Sequence, residues 1–259
     1  MQMQMQIDGV SIELRGQPVL RGISAMLQPG RVTVILGANG AGKSTLLSCL
    51  AGLRQPGSGA VRLGNRPVLA MDKRERGRMI GLMPQRAEIH WDVDVETLVG
   101  LGRMPHRGRW GPTEADRAAI SRAMAATGVT ALRARKALRL SGGEQGRVLL
   151  ARVLAGEPGW LLADEPLASL DPAHQLDVLD RLREAARSGA GVVVVLHDLT
   201  HAARVADDAL VLQEGRLLAA GPAAGVLTPA VLAQAYGVEV HLARTADGAP
   251  IIVPVRRIA

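Results

Sequence analysis

Residues 32–44 constrain this 259-residue chain more than any other stretch. Val32-Thr33-Val34-Ile35-Leu36 is a nearly all-apolar run, which predicts a strand buried on both faces of a sheet. It leads into Gly37-Ala38-Asn39-Gly40-Ala41-Gly42-Lys43-Ser44, and Lys43 to Leu53 then reads as a helix ending near Gly52. Strand, glycine-rich loop and helix in this order form the phosphate-binding loop pattern. Successive backbone N–H groups and the helix N-terminus make a nest for anions, and the glycines let the backbone close around them. In such a loop Lys43 reaches the β- and γ-phosphates of a nucleotide, and the Ser44 hydroxyl, with Thr45 beside it, is placed to ligate Mg²⁺. The chain has only three lysines, Lys43, Lys73 and Lys136, so one at this position is unexpected by chance.

The rest of the composition narrows the partners. Phe is absent and aromatics make up 2% of the chain, so the core must be built from Leu, Val, Ile, Ala and Met. The net charge of +7 would suit a nucleic acid or an anionic lipid. The basic residues are scattered, however, with no polybasic tail and no interleaved aromatics of the kind single-strand binders use, and no nucleic-acid partner is expected. Cys49 is the sole cysteine and lies in an apolar helical stretch, where it is expected as a small buried hydrophobe. No apolar run approaches the roughly 20 residues of a membrane helix, and the Met-Gln alternation of Met1 to Gln6 has no signal-peptide character. A role at a membrane would require docking onto another protein.

Turn signals at Asp8-Gly9, Arg15-Gly16 and Pro29-Gly30 divide residues 5–35 into short strands, and Gly59 to Leu69 looks like further strand. Thr113-Glu114-Ala115-Asp116 opens a helix running to about Thr127, with Gly128 as its stop. Ser141-Gly142-Gly143-Glu144 has capping-box form. Trp160-Leu161-Leu162-Ala163 and Val192-Val193-Val194-Val195-Leu196 are two more buried-strand candidates, separated by a helix from about Pro172 to Ser188. This alternation predicts a parallel sheet with crossover helices. The tail reads as a hairpin around Glu214-Gly215, then Glu239 to Ala243 pairing with Ile251 to Val255 across Asp247-Gly248.

Asp164 and Glu165 end the apolar run from Trp160. At a strand end beside a nucleotide, Asp164 can hold the metal, and Glu165 can orient or deprotonate an attacking water. Further on, Leu140-Ser141-Gly142-Gly143-Glu144-Gln145 resembles the signature motif of ABC ATPases. The family's other motifs follow in order: Gln85 at the Q-loop, Asp164-Glu165-Pro166, Ser169-Leu170-Asp171 at the D-loop, and His197 after the last buried strand.

The resemblance spans about residues 5–225 and implies an α/β fold: a RecA-like P-loop core with an antiparallel β subdomain and an inserted helical subdomain. It places the core at 1–85 and 157–222, the helical subdomain at 86–156 and a β-containing extension at 223–259, all within one ATPase domain. It implies ATP and Mg²⁺ as cofactors, with Ser44, Gln85 and Asp164 toward the metal. Gln85 would contact the metal or the attacking water, and His197 the γ-phosphate while positioning Glu165. It also implies a head-to-tail homodimer. There Gly37 to Thr45 of one copy and Ser141, Gly142, Gly143 and Asp171 of the other enclose one ATP. The physical sense is that Ser141 opens a helix whose N-terminus faces the γ-phosphate.

Two positions depart from the family. Leu14 stands where an aromatic residue usually stacks on adenine, and Gly146 replaces a longer polar residue, which predicts close packing there. The Asn-Lys-x-Asp motif of small GTPases is absent. Only about a hundred residues separate the loop from the signature, too few for the coiled-coil insertions of chromosome-maintenance relatives. The remaining soluble alternative is an ABC ATPase that remodels nucleic acid or protein. A stand-alone subunit better fits an importer, peripheral at the cytoplasmic face of the inner membrane under a permease dimer fed by a periplasmic binding protein. Gly102-Arg103-Met104-Pro105-His106, Tyr236-Gly237-Val238 and Ile252-Val253-Pro254 resemble importers of metal chelates: iron-siderophore first, then haem or cobalamin, with an importer of another metal or an oxyanion as the alternative. His106 is not expected to bind metal. Arg86 to Trp91 are expected to line the cleft where the permease docks.

Overall fold

The computed structural model describes residues 3–85, 89, 92–108 and 111–258. Strands β1 (Met5–Leu14) and β2 (Gln17–Leu27) form a hairpin, and β3 (Val32–Leu36) leads through the glycine loop into α1 (Lys43–Leu50). There follow β4 (Ser58–Leu63), β5 (Arg66–Pro67), α2 (Lys73–Met79) and β6 (Ile80–Met83). The helices α3 (Val95–Gly100), α4 (Glu114–Ala126) and α5 (Gly142–Ala155) come next. Then come β7 (Trp160–Asp164), α6 (Pro172–Arg187), β8 (Gly191–Val195), α7 (Leu199–Val205), β9 (Asp208–Gln213) and β10 (Arg216–Pro222). The tail holds α8 (Ala223–Val226), α9 (Pro229–Tyr236), β11 (Val238–Arg244) and β12 (Pro250–Arg257).

The central sheet has the order β10-β9-β3-β8-β7-β6 and is parallel apart from the β9–β10 hairpin. Every residue of β3, β7 and β8 is buried, as expected of apolar strands covered on both faces. Val34 and Leu36 of β3 pack with α6 and α7, whereas Ile35 packs with α1 and the antiparallel sheet β2-β1-β4-β5. Trp160 supplies aromatic bulk in a core without Phe, and its indole N–H donates to the Met3 carbonyl at 3.0 Å. A third cluster joins α3, α4 and α5 through Val95, Leu98, Met124 and Val148. Among the described residues no helix is long and apolar enough to cross a membrane.

Several details differ from the sequence expectation. Asp8-Gly9 is no turn: β1 runs through it with a register shift between Ile7 and Val10, Gly9 taking φ 57° while its N–H is held by the Ser24 hydroxyl. Gly59 to Leu69 is not one strand but a short hairpin and a 3₁₀ turn, because Gly64-Asn65 reverses the chain. Packing does not require Gly146, since a Cβ there would meet Leu170 at an ordinary 3.7 Å. The 86–91 segment, Ile89 apart, lies outside the described residues.

The Gly102-to-His106 segment proves to be a structural joint. A side chain on Gly102 would overlap the Arg152 carbonyl of α5. Arg103 is buried and donates to Asp116 of α4 at 2.7 Å, to the Ala155 carbonyl at 3.1 Å and to Glu157 at 2.9 Å. His106 Nε2 bonds the Gly156 carbonyl at 2.9 Å. The segment therefore caps the C-terminal end of α5 and locks α4 to it. The Thr113 backbone N–H, then the Arg103 guanidinium, hold the Asp116 carboxyl at a pKa of about 2. A depressed carboxylate pKa contributes stability that is present above its ordinary value of 3.8 and lost as pH falls toward 2. Asp116→Asn should lower stability at neutral pH by about 2 kcal/mol, the scale of a lost charged hydrogen bond, since Arg103 keeps its bond to Glu157. It should also flatten the decline between pH 4 and pH 2, so melting temperatures of both proteins across that window check both effects.

Candidate active site

The site lies where β3, β6, β7 and β8 end, at the carboxyl edge of the sheet, the usual ligand position in parallel α/β folds. Glycine is required at two loop positions. A side chain on Gly37 would overlap the Leu212 carbonyl of β9, and one on Gly42 would meet Leu20 of β2 at 2.6 Å. Gly42, at φ 97°, precedes α1 without a side-chain cap, so the first-turn N–H groups of α1 have no side-chain acceptor. Lys43 is 6% exposed and donates to the Gly37 and Ala38 carbonyls at 2.7 and 3.0 Å. Burial lowers its pKa, opposed by the charges of Glu165 and Asp164.

A cavity of about 790 Å³ opens beside this loop. Asn39, Gly40, Gly42, Lys43, Ser44 and Thr45 line it together with Gln85, Glu165 and His197. The Glu165 carboxylate accepts from the Gln85 amide at 2.7 Å and pairs with His197 Nε2 through its other oxygen. Glu165 holds φ 52°, an unusual backbone for a residue with a side chain, and its N–H donates to Val195 at the end of β8. The bend turns the carboxylate into the cavity, away from the line of the strand.

Asp164 is 7% exposed, and its Oδ1 has no hydrogen-bond partner among the described residues. Burial raises its pKa, with the Ser44 hydroxyl pulling the other way and the Glu165 charge adding to the rise. A buried, orphaned carboxylate oxygen beside a hydroxyl is a hard-oxygen donor set of the kind Mg²⁺ takes alongside phosphate oxygens. Ser44 and Asp164 thus fit that ion.

Other predicted site residues are not brought to this cavity. Ser141 caps α5 in a reciprocal box with Glu144: its N–H donates to Glu144 at 2.8 Å, and its hydroxyl accepts from the Glu144 N–H at 3.3 Å. Gly142 and Gly143 lie beside Ser169 and Leu170, not beside Lys43. Asp171 caps α6 and is paired with His174 at 2.6 Å. Leu14 lines a different cavity, of about 780 Å³, with Arg21, Arg54 and Arg216. One residue at the loop escaped the sequence reading as a site residue: the Tyr236 hydroxyl accepts the Gly37 N–H at 2.8 Å.

Fold and site together define a P-loop ATPase, and a family model described as ABC transporter matches residues 20–168. The chain belongs to that family, as an ATP-binding ATPase. It is 40% identical to the hemin import ATP-binding protein HmuV of Bordetella avium, over 92% of this chain and 93% of the relative. It is likewise 40% identical to the cobalamin import ATP-binding protein BtuD of Halobacterium salinarum, over 97% of this chain and 64% of the relative. Among solved structures it is similar to a metal-chelate type ABC transporter in an inward-facing conformation, with a TM-score of 0.84, 25% identity and 98% of both chains covered.

Proposed function

We propose that this chain is the ATP-hydrolysing subunit of a metal-chelate importer, acting as a homodimer beneath a membrane permease. One observation carries the ATPase reading: four separate strand ends deliver Lys43 and Ser44, Gln85, Glu165 and His197 to a single cavity. The loop N–H groups and Lys43 bind the phosphates. Ser44 and Asp164, with Gln85 nearby, would hold Mg²⁺, which would supply positive charge to offset that of the phosphates. Glu165 takes the proton of the attacking water, and Gln85 and His197 hold its carboxylate in place.

Ser141, Gly142, Gly143 and Asp171 lie away from their own chain's cavity, which supports a site completed by a second copy. The chain then works as one ABC domain over 1–259. Its nucleotide-binding core is 1–85 and 157–222, its helical part 86–156 and its extension 223–259. It sits peripherally at the cytoplasmic face of the membrane, where a periplasmic binding protein reaches it through the permease.

For cargo, the relatives support haem ahead of siderophores, with cobalamin second because a cobalamin relative is equally identical. The test is reconstitution with the cognate permease and binding protein in lipid vesicles. Haem-loaded binding protein should raise ATP hydrolysis and drive haem into the vesicles. Stimulation only by a sugar, peptide or amino-acid binding protein would overturn the cargo, and stimulation by nucleic acid in place of any binding protein would overturn the transport reading.

A further inference from the structure

The C-terminal extension reaches the nucleotide loop at one point. Tyr236 is the last residue of α9 and the only tyrosine of the chain, and Gly237 at φ 66° ends the helix directly after it. Its hydroxyl oxygen accepts the Gly37 N–H at 2.8 Å across 199 residues of sequence. Gly37 is buried, and its own carbonyl accepts from Lys43 at 2.7 Å. The residue held by Tyr236 on its nitrogen side therefore holds Lys43 on its carbonyl side. Gly37 sits at φ 144°, where no side chain restrains rotation about its backbone. The Leu212 carbonyl fills the space that a side chain on Gly37 would need, and the tyrosine hydroxyl holds the Gly37 N–H. Burial pushes the phenol pKa up. Helix α9 is itself anchored by buried Leu232 and by the Gln213 amide, which donates to the Gln234 carbonyl at 2.9 Å.

We propose that Tyr236 is a positioning residue of the ATPase, fixing the first peptide of the phosphate loop and with it the carbonyl that docks Lys43. The proposal rests on the reading of Gly37 to Ser44 as the phosphate site. A nucleotide-contacting loop is thereby tied to the extension as well as to the sheet.

Tyr236→Phe keeps the ring and its packing but leaves a buried N–H without an acceptor. ATP and ADP affinity, measured by calorimetry, should fall roughly tenfold, the scale of a buried donor left unsatisfied. Gln213→Ala keeps the hydroxyl but removes one anchor of the helix that seats it, so nucleotide affinity should fall by less than in Tyr236→Phe. Hydrogen exchange of wild type should show the Gly37 amide protected without nucleotide and exposed in Tyr236→Phe. Three results would overturn the proposal: unchanged affinity in Tyr236→Phe, a larger loss in Gln213→Ala than in Tyr236→Phe, or fast exchange of Gly37 in wild type. If wild type itself fails to bind ATP, the phosphate-site reading falls and this proposal falls with it.

Discussion

Glu165→Gln should retain ATP binding and lose at least about 100-fold in turnover, the lower end of what a positioned general base contributes. The substitution keeps the shape of the side chain and removes its negative charge. Lys43 and the loop N–H groups are untouched, so the phosphates are still held. What disappears is the anion between the Gln85 amide and the His197 imidazole, the proposed acceptor of the water proton. ATP should accumulate in a closed two-chain complex, visible as a dimer on sizing with ATP and absent with ADP. Phosphate release measured beside ATP binding checks this, and turnover near the wild-type rate would remove Glu165 from the mechanism.

Lys43→Ala and Ser141→Arg should each abolish hydrolysis, for different reasons. Removing Lys43 deletes a buried cation aimed at the phosphates and should lower kcat/KM for ATP about 100-fold or more, on the scale of losing one preorganised electrostatic contact. Ser141→Arg leaves the loop of its own chain intact, so ATP binding should persist. It takes away the α5 cap, at a stability cost of about 1 kcal/mol, and sets a bulky cation where the partner's nucleotide would approach. Binding lost in the first variant and kept in the second is the expected pattern. Wild-type hydrolysis by Ser141→Arg would mean that the signature segment takes no part.

Much of this was legible in the residues. The β3 run, the glycine loop, the capping boxes at Thr113 and Ser141 and the strand ending in Asp164-Glu165 are each encoded within a few neighbouring positions. The helices α2 and α3 leave no periodic signal, because they are 7 and 6 residues long and too short to show a helical period. Each starts at an aspartate cap, Asp72 and Asp94, which was the one local signal available. Asp8-Gly9 has turn chemistry but serves as a bulge, since pairing with β2 and β4 on either side outweighs the local preference. The Arg103–Asp116 joint and the Tyr236–Gly37 bond depend on tertiary placement, and no spacing rule finds them.

The central claim is that one ATP is hydrolysed between the Lys43 loop of one chain and the Ser141 segment of another. Mixing Lys43→Ala chains with Ser141→Arg chains tests it most directly. A mixed dimer has one composite site carrying both lesions and one carrying neither. Phosphate release from the mixture should recover to a measurable fraction of the wild-type rate, while each variant alone stays inactive. No recovery in a mixture proven to contain mixed dimers, or full activity of either variant alone at monomer-favouring dilution, would contradict the shared site.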